Sequence, residues 1–363
     1  MLRDSHLPLD LPSSLRTFVK CYRMVLEAYD HRAKHWRAAG ADPYFTNYLA
    51  AWVLYEVGID EEHEGFRFAQ DWFIKSRNSK GIWGNEGAGL ELESTARACV
   101  ALLLDPERAD LERVRTALEF LIEQQAPQGW WPGEFVQYRS SQPYYGTMLP
   151  ISFALKLSSA VARENDVSTH RINDSRQRLC KFIEERFDRG DFSKMGVIEE
   201  NPIRAASWGT RIYLNAGGER NDILKTVTRH MLGFLHTTPD ITKLEFQDLY
   251  NVVHSLALLG VSLEERAVAI ACHELQRRVE KAGLGTTEQW FRYSGGLVLA
   301  YLKLWGAHTL SQYYQQFLKP MIENATISKP TDLRDFVKKH WVALAGLLIG
   351  FVSAIIALVQ LLK

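Results

Sequence analysis

Two glutamates that precede an apolar helical segment are the strongest candidates for chemistry in this sequence. Glu91 and Glu93 stand two residues apart, directly before the segment STARACVALLL that begins at Ser94. Burial and a neighbouring carboxylate both favour the protonated form of a carboxylic acid, so this pair can provide a proton donor. A structural alternative fits the same spacing: Ser94 caps the helix, and both glutamates are solvated beside its start.

Aromatic residues gather near the starts of several apolar segments. Ring faces stabilise a desolvated cation by up to about 2 kcal/mol each, although packing in the core is their more common role. We predict that the following residues line a cavity and contact an apolar ligand: Tyr44, Trp131, Tyr145, Trp208, Tyr250 and Tyr293.

Polar residues occur on the same apolar segments, where a polar group needs a partner or a function. Asn47, Asp248 and His254 are the candidates for polar contacts with the ligand. Two structural alternatives remain open. Asp248 can form an ion pair with Arg204 or Arg211, and His254 can be a hydrogen-bonded histidine of the core.

The sequence predicts neither a metal site nor a cofactor. His31 and His35 are four residues apart on the first predicted helix, but no third ligand is indicated. The four cysteines are too far apart along the chain for a zinc site or a dense disulfide framework; they are Cys21, Cys99, Cys180 and Cys272.

Helical periodicity dominates the chain. A first helix carries apolar residues from Leu15 to Tyr29 at helical spacing, and we expect Gly40 and Pro43 to end it. After it, segments that are apolar nearly all round alternate with amphipathic ones. The apolar segments begin at Thr46, Ser94, Gly146, Ala205, Asp248 and Ser294, and the amphipathic ones span 61–77, 111–126, 174–188, 222–237, 263–281 and 310–323.

This alternation predicts an all-α fold, an (α/α)6 toroid of six helical hairpins. Helices that are apolar on every side are buried, so they line the ring, and the amphipathic helices cover it. We expect one extra helix before the toroid and one transmembrane helix after it. An open solenoid is the alternative, but it would need polar capping repeats, and none is evident.

A recurrent turn precedes three of the apolar segments. A glycine that turns the chain and an aromatic that covers a hairpin would be its simplest explanation. The turn nevertheless resembles the Q-x3-G-x-W motif that repeats in the toroids of triterpene cyclases. Gln125, Gly129 and Trp131 match this motif, Arg77, Gly81 and Trp83 repeat its spacing, and Arg186, Gly190 and Phe192 form a weaker copy.

Residues 81–102, GIWGNEGAGLELESTARACVAL, resemble the D-x-D-D-T-A segment of squalene-hopene and other class II terpene cyclases. In this resemblance Glu91 stands for the first aspartate and Glu93 for the central aspartate, which protonates the substrate. The Thr-Ala pair matches, whereas Ser94 replaces the third carboxylate. The metal-binding D-D-x-x-D motif of class I synthases is missing from the sequence.

The resemblance implies a membrane-anchored class II terpene cyclase-like enzyme. Glu93, assisted by Glu91, would protonate a polyprenyl or meroterpenoid lipid in the toroid cavity and so start its cyclisation. The alternative is a non-catalytic toroid that binds a lipid or protein signal and acts as an oligomerising membrane effector or scaffold. The altered acid motif favours this second interpretation. A polysaccharide-processing toroid is a third class. The basic residues before the apolar C-terminal segment place the large domain in the cytoplasm, which argues against it.

Composition narrows the class of partner. The chain has 363 residues, and its 43 Lys and Arg residues balance 43 Asp and Glu residues. A nucleic-acid binder usually presents a basic surface, so we predict no nucleic-acid partner. The expected partners are an isoprenoid or other hydrophobic small molecule, and a membrane.

The C-terminal segment WVALAGLLIGFVSAIIALVQLLK predicts a single-pass membrane anchor, because about 20 apolar residues cross a bilayer. Basic residues at 334–339 outnumber Lys363 beyond it, which places the large domain in the cytoplasm. Gly346 and Gly350 form a G-x-x-x-G pair that permits a homo-oligomer. We therefore predict four regions: an N-terminal helix packing on the toroid (1–40), the toroid (41–325), a basic juxtamembrane linker (326–340) and the anchor (341–363).

Overall fold

The computed structural model describes most of the chain up to the last helix of the ring. It covers residues 11–57, 64–84, 91–105, 111–133, 143–161, 167–190, 202–238, 241–281 and 287–313. The chain divides into two compact units, Met1–His308 and Thr309–Lys363. The second unit is described only at 309–313, so the linker and anchor predicted at 326–363 lie outside the described residues.

The described residues are predominantly helical, as predicted. The helices are α1 Leu11–Glu27, α2 Pro43–Val57, α3 Glu64–Lys75, α4 Glu91–Leu103, α5 Leu111–Glu123, α6 Tyr145–Val161, α7 Val167–Asp188, α8 Pro202–Asn215, α9 Asn221–Thr237, α10 Phe246–Leu258, α11 Arg266–Lys281 and α12 Glu288–Tyr313. The described residues also form a two-stranded antiparallel sheet, β1 Tyr29–Asp30 and β2 His35–Trp36, and a 3₁₀ helix, Ile241–Lys243. Across these ranges, no helix has the length and apolarity that a membrane crossing requires.

The even-numbered helices form an inner ring. Helices α2, α4, α6, α8 and α10 each pack on the next one in this order. Helix α12 closes the ring, since Gly295 lies against Leu49 of α2 and Gly296 against Tyr250 of α10. A side chain at either glycine would collide with these neighbours, so glycine allows the two helices to approach α12 closely.

The odd-numbered helices cover the ring, and α1 is one of them. Lys20 of α1 donates a hydrogen bond to the carbonyl of Val279 at the end of α11 (2.9 Å). Phe18 of α1 packs on Trp305 of α12, with 5.8 Å between ring centroids. The N-terminal helix is therefore an outer helix of the ring rather than an addition to it. Residues 310–313 continue α12, where the sequence predicted the start of an outer helix; 314–323 lie outside the described residues.

The tryptophans of the recurrent turn fasten the turn to the outer helix that precedes it. The indole of Trp83 donates to the carbonyl of Phe73 (2.6 Å), and the indole of Trp131 donates to that of Leu121 (2.7 Å). Both rings are fully buried. Trp36 makes the same bond to α1, so α1 is followed by a turn of this kind that the sequence motif did not reveal.

The polar residue of the turn supports the glycine. Gln125 donates from Nε2 to the carbonyl of Gly129 and to that of Ser175 on α7, both at 3.0 Å. Arg77 donates from Nε to the carbonyl of Gly81 (2.7 Å). The turn motif therefore has a structural role in both of these copies.

The first helix ends earlier than the sequence predicted. Asp30 accepts hydrogen bonds from the backbone N–H groups of Arg32 and Ala33 at 2.9 and 3.0 Å, and these bonds compete with helix continuation. The chain turns here into the β1–β2 hairpin. His31 and His35 consequently do not share a helix face, and their predicted i, i+4 arrangement is wrong.

Candidate functional site

All six inner helices contribute to a cavity of about 170 Å³ along the axis of the ring, here called the main cavity. A distal cavity of about 80 Å³ adjoins it near the C-terminal ends of the inner helices. The side chains that line both cavities are Tyr48, Trp52, Leu149, Arg211 and His254.

Glu93 lies in the wall of the main cavity and is only 2% exposed. Its Oε2 atom forms an ion pair with Nη2 of Arg97 at 2.6 Å, and its Oε1 atom accepts a hydrogen bond from the hydroxyl of Thr147 at 3.0 Å. Arg97 is also paired with Asp42 through Nη1 at 3.0 Å. The guanidinium therefore bridges the carboxyl groups of Glu93 and Asp42.

Asp248 is occupied by a structural ion pair. Its Oδ1 atom lies 2.5 Å from Nε of Arg204, which also contacts Glu245. Of the two partners proposed from the sequence, Arg204 is the one observed. Asp248 does not line the main cavity.

The guanidinium of Arg211 is buried inside the ring, and its hydrogen-bond partner is an uncharged side chain. It is 8% exposed and lines both cavities. Its Nη1 atom donates to Oδ1 of Asn251 (3.2 Å), and its guanidinium lies 5.4 Å from the ring centre of Trp52. Burial lowers the pKa of Arg211.

Two tyrosines beside Arg211 keep their protons over the physiological range. Burial raises the pKa of Tyr48 to about 12 and that of Tyr250 to about 12. Both side chains line the main cavity. Their hydroxyl groups are therefore neutral and able to donate hydrogen bonds to a ligand.

His254 is a buried, neutral histidine. Burial, followed by the positive charges of Arg211 and Lys303, holds the pKa of His254 well below its usual range. The imidazole lies 6.3 Å from the ring of Trp52. It lines the main cavity, where a neutral imidazole can accept or donate one hydrogen bond.

We expect this histidine to make the protein less stable in mild acid. The unfolded chain takes up a proton at His254 below about pH 6.5, whereas the folded chain resists it, so stability is full above that pH and falls below it. Each pH unit costs up to about 1.4 kcal/mol until the lower pKa of the folded state is reached. Chemical denaturation of the wild type and of His254→Gln at several pH values measures this. Equal pH dependence in both proteins would contradict the expectation.

Four of the residues predicted from the sequence line the main cavity: Glu93, Trp208, Tyr250 and His254. They come from α4, α8 and α10, so the ring brings together positions far apart in the sequence. Glu91 lies half-buried in the first turn of α4 and does not line the cavity.

Tyr44 and Asn47 of α2 contact neighbouring elements instead of the cavity. The ring of Tyr44 packs on Trp72 of α3 at 5.1 Å. Asn47 accepts the backbone N–H of Trp36 at Oδ1 (3.0 Å) and donates from Nδ2 to the carbonyl of the same residue (3.3 Å). This amide therefore holds the hairpin against α2.

Three predicted aromatic residues also lie outside the cavity lining. Trp131 belongs to the turn described above. The guanidinium of Arg186 on α7 stands 5.8 Å from the ring centre of Tyr145, and Tyr293 stacks on Phe246 at 4.8 Å. These rings pack between helices.

The structure adds residues to the predicted set of site residues. Arg97, Tyr48, Trp52 and Arg292 line the main cavity, and Thr147 binds Glu93. Arg97 had a detectable signal, because it stands four residues after Glu93 on an otherwise apolar helix, the spacing of a helical ion pair. Thr147 had none, since its contact joins residues far apart in sequence.

A metal site is not formed by the described part of the chain. Nowhere in it do three or more His, Cys, Asp or Glu side chains come close enough together to hold a metal ion.

Comparisons with known proteins identify the fold. No protein-family model and no curated protein sequence matches the chain. One similar solved structure is an Arg→Ala variant of the type II terpene cyclase MstE from Scytonema with its substrate, geranylgeranyl dihydroxybenzoate. It is 13% identical with a TM-score of 0.54, covering 81% of this chain and 98% of that one. An Asp→Ala variant of MstE with its product, merosterolic acid A, is 14% identical with a TM-score of 0.53, covering 81% and 97%. The chain therefore has the fold of type II terpene cyclases.

Proposed function

We propose that the protein is a class II terpene cyclase-like enzyme that binds a prenylated lipid in the main cavity and starts its cyclisation with a proton from Glu93. The observation that carries this proposal is the position of the Glu93 carboxyl group, which is buried in the wall of an aromatic-lined cavity. The fold shared with MstE, a cyclase that binds a geranylgeranyl substrate, supports it.

The proposed reaction needs no other reagent. A protonated Glu93 transfers its proton to a terminal alkene carbon; the alkene electron pair forms the new C–H bond, and a tertiary carbocation remains. A second alkene attacks this cation and closes a ring. Trp52 and Trp208 present aromatic rings at the cavity, where ring faces stabilise such a cation. Loss of a proton then gives a product isomeric with the substrate.

Arg97 and Asp42 give Glu93 a way to become neutral. A proton donor must start protonated, so the bond between Glu93 and Arg97 has to be released first. Asp42 already holds the other side of the guanidinium, which therefore keeps a carboxylate partner when Glu93 is protonated.

The volume of the main cavity limits the size of the ligand group that it can hold. A cavity of about 150 Å³ in another protein holds one benzene ring, and the main cavity here measures about 170 Å³. One prenyl terminus or one ring fits this space. A longer lipid must extend into the distal cavity or move side chains aside.

The ion pair of Glu93 with Arg97 favours a second candidate, a toroid that binds such a lipid without changing it. Incubation in D₂O separates the two functions. The full chain is mixed with squalene, its epoxide or a prenylated aromatic acid, and the lipids are analysed by mass spectrometry. The cyclase predicts a product isomeric with the substrate. This product carries one carbon-bound deuterium where an alkene is protonated, whereas protonation of the epoxide oxygen gives only an exchangeable O–D group. Recovery of every bound lipid unchanged and undeuterated would refute the enzymatic proposal and support the binding toroid.

We also propose that residues 341–363 anchor the protein in a membrane, with the large domain in the cytoplasm and with self-association through Gly346 and Gly350. The uncharged sequence of residues 341–362 and the substrate chemistry support this, because prenylated lipids partition into bilayers. A chain that ends at residue 340 should leave the membrane fraction. The double variant Gly346→Leu, Gly350→Leu should remain there as a monomer. A truncated chain that still sediments with membranes would contradict the anchor.

A further inference from the structure

Arg211 carries a buried positive charge for which the described residues provide no carboxylate. Within the described residues it contacts a neutral amide, Asn251, and the ring of Trp52. Two other arginines of the inner helices have acidic partners: Arg97 pairs with Glu93, and Arg204 with Asp248. A charge that is removed from water without a counter-ion costs free energy, so the cavity is prepared for an anion.

The groups around Arg211 are hydrogen-bond donors. Asn251 is 1% exposed, and its buried Nδ2 group lacks a hydrogen-bond partner among the described residues. Asn251 lines the main cavity beside Arg211. Tyr48 and Tyr250 line the same space and keep their hydroxyl protons. Donors that converge on one space, one of them unsatisfied, are suited to an acceptor with several lone pairs.

The acidic residues in the two cavities are already engaged. Glu93 pairs with Arg97 in the main cavity, and Glu56 pairs with Lys303 in the distal cavity at 2.6 Å. No other Asp or Glu lines either cavity within the described ranges. Arg211 therefore adds a positive charge to the interior, beside Arg292 in the main cavity and Lys156 in the distal cavity, and a carbocation formed there would be repelled. A ligand that carries its own negative charge removes this conflict.

We propose that the lipid ligand is an acid, and that its anionic group binds to Arg211 and Asn251 between the two cavities. This inference rests on the proposed function for the lipid part of the ligand. The shared chemistry of carboxylate and phosphate would satisfy the donors. One guanidinium balances one negative charge and matches a carboxylate with two parallel hydrogen bonds, so we assign the group as a carboxylate.

Binding of matched lipids to the full chain in detergent tests the inference. Geranylgeranoic acid, its methyl ester and geranylgeranyl diphosphate share one hydrocarbon tail and differ in the head group. We expect the wild type to bind the acid at least about tenfold more tightly than the ester, as one charge-assisted hydrogen bond provides. Arg211→Met should bind the two with equal affinity and melt at a higher temperature without ligand.

Control variants separate this site from a general effect of charge. Arg176 on α7 is half-buried, bonds to neutral groups and lines neither cavity, so Arg176→Met should keep the preference for the acid. Asn251→Leu should lose part of it, which provides a second variant if Arg211→Met does not fold.

The outcomes distinguish the inference from the proposed function. Equal binding of acid and ester by the wild type, or an unchanged preference in Arg211→Met, would overturn the anion site and leave lipid binding intact. Tightest binding of the diphosphate would overturn the assignment to a carboxylate. Failure of all three lipids to bind would overturn both proposals.

Discussion

Glu93→Gln is expected to abolish cyclisation while lipid binding stays within about threefold of the wild type. Glutamine has nearly the same shape but no acidic proton, and a general acid contributes roughly 10²–10⁴ to a rate. Because no carboxyl group other than that of Glu93 lines the main cavity within the described residues, we expect a loss of at least about 10³-fold. Product formation by mass spectrometry and lipid binding by titration are measured on the same preparations.

Glu91→Gln is the matched control. It makes the same chemical change two residues earlier, in the first turn of α4 but outside the cavity lining. We expect it to retain activity within about twofold, since its side chain does not reach the reacting lipid. Equal activity in Glu93→Gln and the wild type would disprove the acid role of Glu93. Loss of activity in both variants would indicate that the reaction depends on the negative charge at the start of α4, and not on a proton from Glu93.

The stability of Glu93→Gln must be followed beside its activity. The substitution removes one partner of a buried ion pair, which costs about 3–5 kcal/mol when the remaining charge is left alone. Here Arg97 keeps Asp42 at 3.0 Å, so we expect the cost to be smaller. Circular dichroism at the assay temperature shows whether the variant is folded, and only a folded, lipid-binding variant decides the chemistry.

Local patterns allowed part of this site to be predicted. The turn with Gln125, Gly129 and Trp131 spans seven residues, and its hydrogen bonds largely follow from that spacing. Glu93 was found for the same reason, because a carboxylate near the start of an apolar helix is visible in a short window. The division into apolar inner helices and amphipathic outer helices also followed from local periodicity.

The remaining site residues depend on how the ring closes. Thr147 meets Glu93 from the next inner helix, and Arg211 meets Asn251 from α10. The position of Asn47 on a buried helix shows only that its amide needs a partner, and the partner observed is the backbone of Trp36. Sequence periodicity specifies which side of a helix is buried, not which neighbour it contacts.

The position of α1 was ambiguous for a geometric reason. In a closed ring of alternating inner and outer helices, the repeated hairpin can be defined as starting with an inner helix or with an outer helix. The sequence was interpreted as inner-then-outer hairpins with an extra first helix. The turn at Trp36, which resembles those at Trp83 and Trp131, shows that the unit is an outer helix followed by an inner one.

Gly129→Ala is expected to destabilise the protein by about 3–5 kcal/mol. Gly129 has a backbone φ of +99°, and a residue with a side chain is strained by about 1–3 kcal/mol in this conformation. An added Cβ would also collide with the backbone carbonyl of Arg178 on α7, and overpacking against backbone costs about 1–3 kcal/mol more. A shift of the turn away from α7 would relieve the collision but would break the hydrogen bond from Gln125 to the carbonyl of Ser175. The strain therefore cannot be relieved at low cost in free energy.

Gly260→Ala separates the collision from the backbone strain. Gly260 has φ +79 in the turn after α10, and a Cβ there would meet nothing within 4 Å. We expect it to cost only about 1–2 kcal/mol, the strain of a left-handed conformation alone. Urea denaturation of both variants gives the difference directly. If the two alanines cost the same, the turn at Gly129 does not hold α5 and α7 at the close spacing seen here, and the structural role of the repeated turn would have to be abandoned.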